Sequence, residues 1–215
     1  MFNKNSFLFL IGFVFAAEFC TAQDLKNIQL PKPQTEMGKP LMQCLTLRQS
    51  RRNFDTKDLS LQEIANILWA ANGINRPESG KRTSPSARNW QEIDVYVVLE
   101  RGAFIYDATK NELSPVAPGD LRALCGVQEF VKSAPVNLVY VSNFDRIKSN
   151  DDEETKLMWT SAAAGFCIQN VYLYCSSQNF ACVVRGLVDK AKLANALRLN
   201  PNQKIILTQT VGYPK

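Results

Sequence analysis

The stretch Asp151-Asp-Glu-Glu-Thr-Lys-Leu-Met-Trp-Thr160-Ser-Ala-Ala-Ala-Gly-Phe-Cys-Ile-Gln-Asn170-Val-Tyr-Leu-Tyr-Cys-Ser-Ser177 decides how the rest of the chain is read. Its leading acids, Asp151 to Glu154, suit a helix N-terminus, where carboxylates meet the positive end of the backbone dipole. Beyond them, Ala162, Ala163, Phe166, Ile168, Val171, Tyr172 and Tyr174 are spread almost all round a helical projection. A helix apolar on every side is central to a fold or held in an interface. The spacing therefore predicts one long central helix running through Gly165 to about Ser177.

On the C-terminal side, residues 180–184 read as a strand, Gly186 as a break, residues 189–197 as a helix and residues 205–211 as a last strand. On the N-terminal side, Ser60 with Glu63 three residues later forms a capping box. It opens a helix with Leu61, Ile64, Ala65, Leu68 and Trp69 on one face, ended by Asn72-Gly73. Residues 93–99 are a near-continuous apolar strand of the kind buried on both faces. After the turn at Arg101-Gly102 come a strand at 103–106, a helix fragment at 120–125 and a strand at 135–141. Residues 75–91 form a polar loop of a length that usually carries function. Neither a repeat nor a linker divides the chain, so the class is α+β with one domain at 44–215, preceded by an extended arm at 23–43.

Composition narrows the chemistry. The 215 residues include no histidine, which removes Ser-His-Asp and Cys-His hydrolases, the usual zinc enzymes and His-ligated haem. No metal-ligand cluster is expected, and a borrowed cofactor becomes the natural carrier of any reaction. The net charge of +5 without a long basic run fits anionic small molecules, not nucleic acid. Residues 1–22, with Lys4, the apolar run at 7–17 and a small residue at Ala22, read as a secretory signal peptide. The alternative, a membrane helix, fails on length, because a span needs about 20 apolar residues. Phe19 before Cys20 is too bulky for lipoprotein processing, so the expected product is exported, periplasmic, without a membrane span, and begins near Gln23. Its five cysteines, an odd number without a CxxC pair, read as buried small hydrophobes.

Three segments carry chemistry. Arg48-Gln49-Ser50-Arg51-Arg52-Asn53-Phe54 gathers three guanidinium forks and a hydroxyl, a set that matches phosphate oxygens, although such clusters are more often a solvated face. Ser84-Pro85-Ser86-Ala87-Arg88-Asn89 offers short donors to a polar ring edge, or is an ordinary turn. Val184-Arg185-Gly186 places a glycine after a strand, where a backbone N–H can approach a ligand, or is a plain strand ending.

In this order, with Asn170 in the long helix and Val211-Gly212-Tyr213-Pro214 at the end, these segments resemble the FMN-dependent nitroreductase family over residues 45–215. The stretch Gly102-Ala-Phe-Ile-Tyr106-Asp107 is similar to the azoline-oxidising dehydrogenases within it. The resemblance implies a mostly antiparallel central sheet flanked by helices, with a long central helix, and an obligate homodimer holding FMN at its interface. It implies that Arg48, Gln49 and Ser50 bind the phosphate or ribityl chain and that Arg52 lies at the pyrimidine end of the flavin. Pro85, Ser86 and Asn89 would come from the partner subunit, and Gln128 would contact the ring. Gly186 takes the catalytic place beside flavin N5 or O4, and Arg185 would meet a donor phosphate or a substrate carboxylate. Family members continue past Val-Gly-Tyr with a basic tail; this sequence ends at Lys215, which leaves the phosphate to Arg48, its neighbours and Lys215 itself. The implied activity is hydride transfer from NAD(P)H or another small reductant, through flavin N5, to a nitroaromatic or quinone. The alternative is a non-catalytic flavin- or ligand-binding dimer on the same scaffold.

Overall fold

The structure is a computed structural model, and it describes residues 25–215. The expected signal peptide at 1–22 lies outside these residues. Nine strands and four α-helices follow one another: β1 (Ile28–Gln29), α1 (Leu41–Leu47), α2 (Leu61–Asn72), β2 (Ile74–Arg76), β3 (Lys81–Arg82), β4 (Ile93–Leu99), β5 (Gly102–Asp107), β6 (Glu112–Pro118), β7 (Val136–Asn143), α3 (Glu153–Gln178), β8 (Ala181–Arg185), α4 (Lys190–Ala196) and β9 (Gln203–Gly212). Seven strands form one sheet in the order β1-β6-β5-β4-β7-β9-β8, with each neighbouring pair antiparallel. The β2–β3 hairpin stands apart from it.

Strand alternation sorts the core into two layers. Val95, Val97 and Leu99 of β4 join Phe104, Leu138 and Tyr140 in the layer under α2 and α3. Tyr96 and Val98 turn the other way, onto Val139, Val141, Leu193 and Leu197 under α4. Burial on both faces explains why β4 has no polar alternation in its sequence.

The long helix α3 is capped by the Asp152 carboxylate, which accepts from the Thr155 N–H at 2.7 Å. Its buried residues Thr160, Ala163, Ala164, Cys167, Ile168, Val171, Tyr172 and Cys175 recur at helical spacing and face the sheet. The opposite face is apolar but open: Met158 is 54% exposed, Trp159 44% and Phe166 47%. Its breadth of apolar surface therefore has two causes, a core-facing stripe and an uncovered one.

Three elements differ from the sequence reading. The extended arm gains a short strand, β1, that lies beside β6, and its end winds into α1 from Leu41. The polar loop contains the β2–β3 hairpin and a 3-10 turn at Ala87–Asn89. Strand β6, which holds Pro115 and Pro118, was hidden by those prolines; they are tolerated because its outer side pairs only with the two residues of β1. All five cysteines among the described residues are buried and free of disulfides. No helix there is long and apolar enough to cross a membrane.

Candidate active site in two halves

The first half is built on the edge of the sheet. Strand β8 is terminal, and the segment after α1 covers it: the Arg51 N–H donates to the Cys182 carbonyl at 3.0 Å and the Asp55 N–H to the Tyr213 carbonyl at 2.9 Å. Phe54 pins this segment, bridging to Pro214 and packing its ring 5.3 Å from that of Phe130. Gly212 allows the close approach, since a Cβ there would lie 2.8 Å from the Pro135 ring.

With its backbone fixed, the arginine-rich segment presents its side chains over α3 and β8. The Tyr172 hydroxyl accepts from the Val184 N–H at 2.9 Å and lies 2.9 Å from Ser50 Oγ. Either hydroxyl can donate across that contact. The Arg48 guanidinium lies 5.4 Å over the Tyr172 ring, which fixes the cation beside that hydroxyl. Arg52 is exposed, and so is Gly186, two residues beyond Val184, where a Cβ would meet only Leu207 at 3.6 Å. Arg48 and Ser50 thus gather at Tyr172 beside β8, the strand that leads on to the open Gly186, with Arg52 exposed two residues beyond Ser50.

Gln49 and Arg51 do a different job. Arg51 donates to Asn179 Oδ1 at 2.9 Å, and the Gln49 amide oxygen accepts from Arg51 Nη2 at 3.2 Å when the amide is set to suit its neighbours. Both line a cavity of about 310 Å³ with Lys39, Tyr172, Ser176 and Asn179.

The second half is the loop at residues 84–92. Ser84 is buried, with Oγ 2.9 Å from Asn72 Oδ1 and 3.1 Å from Cys167 Sγ on α3. Ser86 Oγ, one residue past Pro85, accepts the Gln91 N–H at 2.9 Å. Arg88, Asn89 and Gln91, on either side of a right-handed Trp90, adopt φ of 50°, 56° and 49°, left-handed values that side chains rarely adopt unaided. Gln91 supplies the support: its Oε1 accepts from Arg82 Nε at 2.9 Å, and its Nε2 donates to the Gly80 carbonyl and to Asn89 Oδ1, each at 3.2 Å. Glu92, the next residue, is 0% exposed with both carboxyl oxygens unpartnered, and burial pushes its carboxyl above the ordinary range. Sequence reasoning missed Gln91, Glu92 and the role of Tyr172. Only Tyr172 left a trace, as a polar tip on an apolar helix stripe.

The loop spans much of α3: Ser84 packs on Cys167, five residues before Tyr172, while the Arg88 side chain reaches Ser149 and Asp151 ahead of the helix, roughly 30 Å along it from Tyr172 at 1.5 Å per residue. Gln128 and Arg185 form a third group. Arg185 is 6% exposed, and its side chain leaves β8 on the face opposite Val184, toward Asn137 and the Phe130 ring. Gln128 is half-buried, with its Oε1 enclosed nearby.

Comparison with known proteins places this architecture. A putative nitroreductase from Ralstonia eutropha JMP134 has a crystal structure that superposes with a TM-score of 0.84 at 40% identity, covering 89% of this chain and 90% of the other. A curated protein of Methanocaldococcus jannaschii, named as a putative nitroreductase, is 27% identical over 186 residues, which is 82% of this chain and 91% of that protein. At 20% identity and a TM-score of 0.60, a putative nitroreductase from Desulfovibrio desulfuricans, solved in complex with FMN, shares the fold over 82% of this chain and 87% of its own. A sequence model of the nitroreductase family matches residues 45–213, from the arginine-rich segment to the final strand, and the chain therefore belongs to the nitroreductase family of oxidoreductases.

Proposed function

We propose that the protein is an FMN-dependent homodimer that moves a hydride from NAD(P)H or another small reductant to an electron-poor acceptor such as a nitroaromatic or quinone. The observation that carries this reading is the meeting of Arg48, the Ser50 hydroxyl and the Tyr172–Val184 contact on the strand that leads to the open backbone of Gly186. A cation, a hydroxyl and an approachable backbone suit, in that order, a phosphate, a ribityl chain and a flat ring. The FMN complex of the Desulfovibrio protein, of the same fold, lends support.

When bound, FMN supplies the two-electron chemistry through N5. The chain's own residues supply position and charge. Arg48 and Ser50 hold the phosphate end, and Gln49 keeps Arg51 clear of it. Arg52 sets a fixed positive charge where negative charge develops on reduction. The Gly186 N–H serves the hydride-receiving edge.

The homodimer is part of this reading, and the surface of α3 supports it. The open apolar face of α3, with the small residues Ser161, Ala162 and Gly165 near its middle, suits a two-fold crossing of two copies. Among the described residues, nothing beyond the adjacent residues and backbone of α3 lies within 4 Å of where a Cβ would stand on Gly165. Such a crossing brings the loop carrying Pro85, Ser86 and Asn89 of one chain to the Arg48–Gly186 surface of the other. Residues 1–22 act as an export signal in this reading, and the mass of the secreted product checks the expected start near Gln23. The flavin function is tested by titrating FMN into wild type and Arg48→Ala. At least a tenfold loss of affinity with an unchanged subunit mass is expected, and equal titrations refute the phosphate role.

A further inference from the structure

Two arginines of the described residues are nearly enclosed, and they are treated differently. Arg122, 8% exposed, is paired with Asp120 at 2.8 Å and with Glu100 at 3.7 Å. Arg185, 6% exposed, forms no salt bridge among the described residues. Its Nη2 donates to Asn137 Oδ1 at 3.1 Å, while Nε and Nη1 are shielded from solvent without a partner. The neighbours are neutral. Asn137 is held with its oxygen toward the guanidinium, since its Nδ2 donates to the Val131 carbonyl at 2.9 Å. Phe130 lies with its ring 5.7 Å from the guanidinium carbon. A Cβ built on Gly126 would stand 3.1 Å from both Arg185 Nη1 and Gln128 Oε1, so the backbone itself closes the cage.

A cation enclosed without a countercharge costs several kcal/mol of stability, and an apolar side chain of similar size would be cheaper. Burial pulls the Arg185 guanidinium down to about 10, which leaves it charged at neutral pH. Its field is neither cancelled by a carboxylate nor screened by solvent, and the next residue along the chain is Gly186.

We propose that Arg185 acts as a buried electrostatic support for the cofactor surface: its uncompensated charge, beneath the end of β8, biases the Gly186 edge toward electron-rich and anionic states. This rests on the flavin reading above. Because Arg185 acts through the Gly186 edge and not by contact, it is a positioning residue.

The test uses Arg185→Met and Arg185→Lys in the full chain. Removing a charge that costs folding energy predicts that apo Arg185→Met unfolds at higher urea than wild type. With FMN loaded, the same variant binds sulfite at least tenfold more weakly. Its two-electron midpoint potential falls by about 30 mV for each tenfold lost in the preference for reduced flavin. Arg185→Lys keeps most of both properties. A purely structural arginine would show the reverse, a less stable Arg185→Met with unchanged potential and sulfite affinity, and either result overturns the proposal. Wild type that takes up no FMN refutes the flavin reading and this proposal with it, whereas FMN bound without a shift refutes the proposal alone.

Discussion

Glu92→Gln isolates one proton. The carboxyl is enclosed beside the Thr160–Ser142 hydroxyl pair, at the foot of the loop that Gln91 organises. Burial raises its affinity for a proton, opposed more weakly by its own backbone, by the nearby Thr160 hydroxyl, which itself donates to Ser142, and by Arg146, whose guanidinium is already 2.7 Å from Asp94. Cys167 and the Arg82 cation lie further along the same buried seam. Since the folded state binds this proton more tightly than the unfolded chain, stability falls as pH rises. The contribution is complete below the unfolded value of about 4.3 and is lost as pH climbs toward the raised folded value. Each pH unit inside that window removes at most about 1.4 kcal/mol, which for a protein of this size is a fall of at most roughly 3–6 °C in Tm. The substituted glutamine has the same shape and no proton to lose. Urea unfolding of both proteins from about pH 4 to about pH 8 reads the difference directly through the linkage slope. The variant is expected to gain on wild type with pH, by up to about 1.4 kcal/mol per unit, until the folded pKa is passed. Parallel curves would refute a neutral Glu92.

Phe166→Glu places a charge in the uncovered apolar face of α3; sedimentation is expected to show monomers in place of dimers, with FMN uptake lost in parallel. Ser60→Ala removes the acceptor for the Glu63 N–H and one side of the capping box, and is expected to lower unfolding free energy by about 1 kcal/mol in urea melts.

Local chemistry made much of the fold legible. The Ser60–Glu63 box placed the start of α2, and the unbroken apolar run placed β4 over Ile93–Leu99, because both signals lie wholly within the segment. Strand β6 was not legible: its prolines argue against a strand, and only the weak pairing on its outer side permits them. At the site, the arginine-rich segment was readable as an anion surface, but the division between Arg48 and Arg51 was not. That division depends on Asn179, far along the chain. The direction of Arg185 was within reach, since Cys182 and Val184 pack under α3 and a period of two turns residue 185 to the other face. The left-handed values at Arg88, Asn89 and Gln91 had no sequence signal, because Arg82 and the Gly80 carbonyl hold them from outside.

The most direct test of the account is the absorbance spectrum of the purified, FMN-supplemented protein under anaerobic conditions. The account predicts a yellow protein with one flavin per subunit, bleached by a reductant and recoloured by a nitroaromatic or quinone. A dimer that stays colourless after exposure to excess FMN would contradict it.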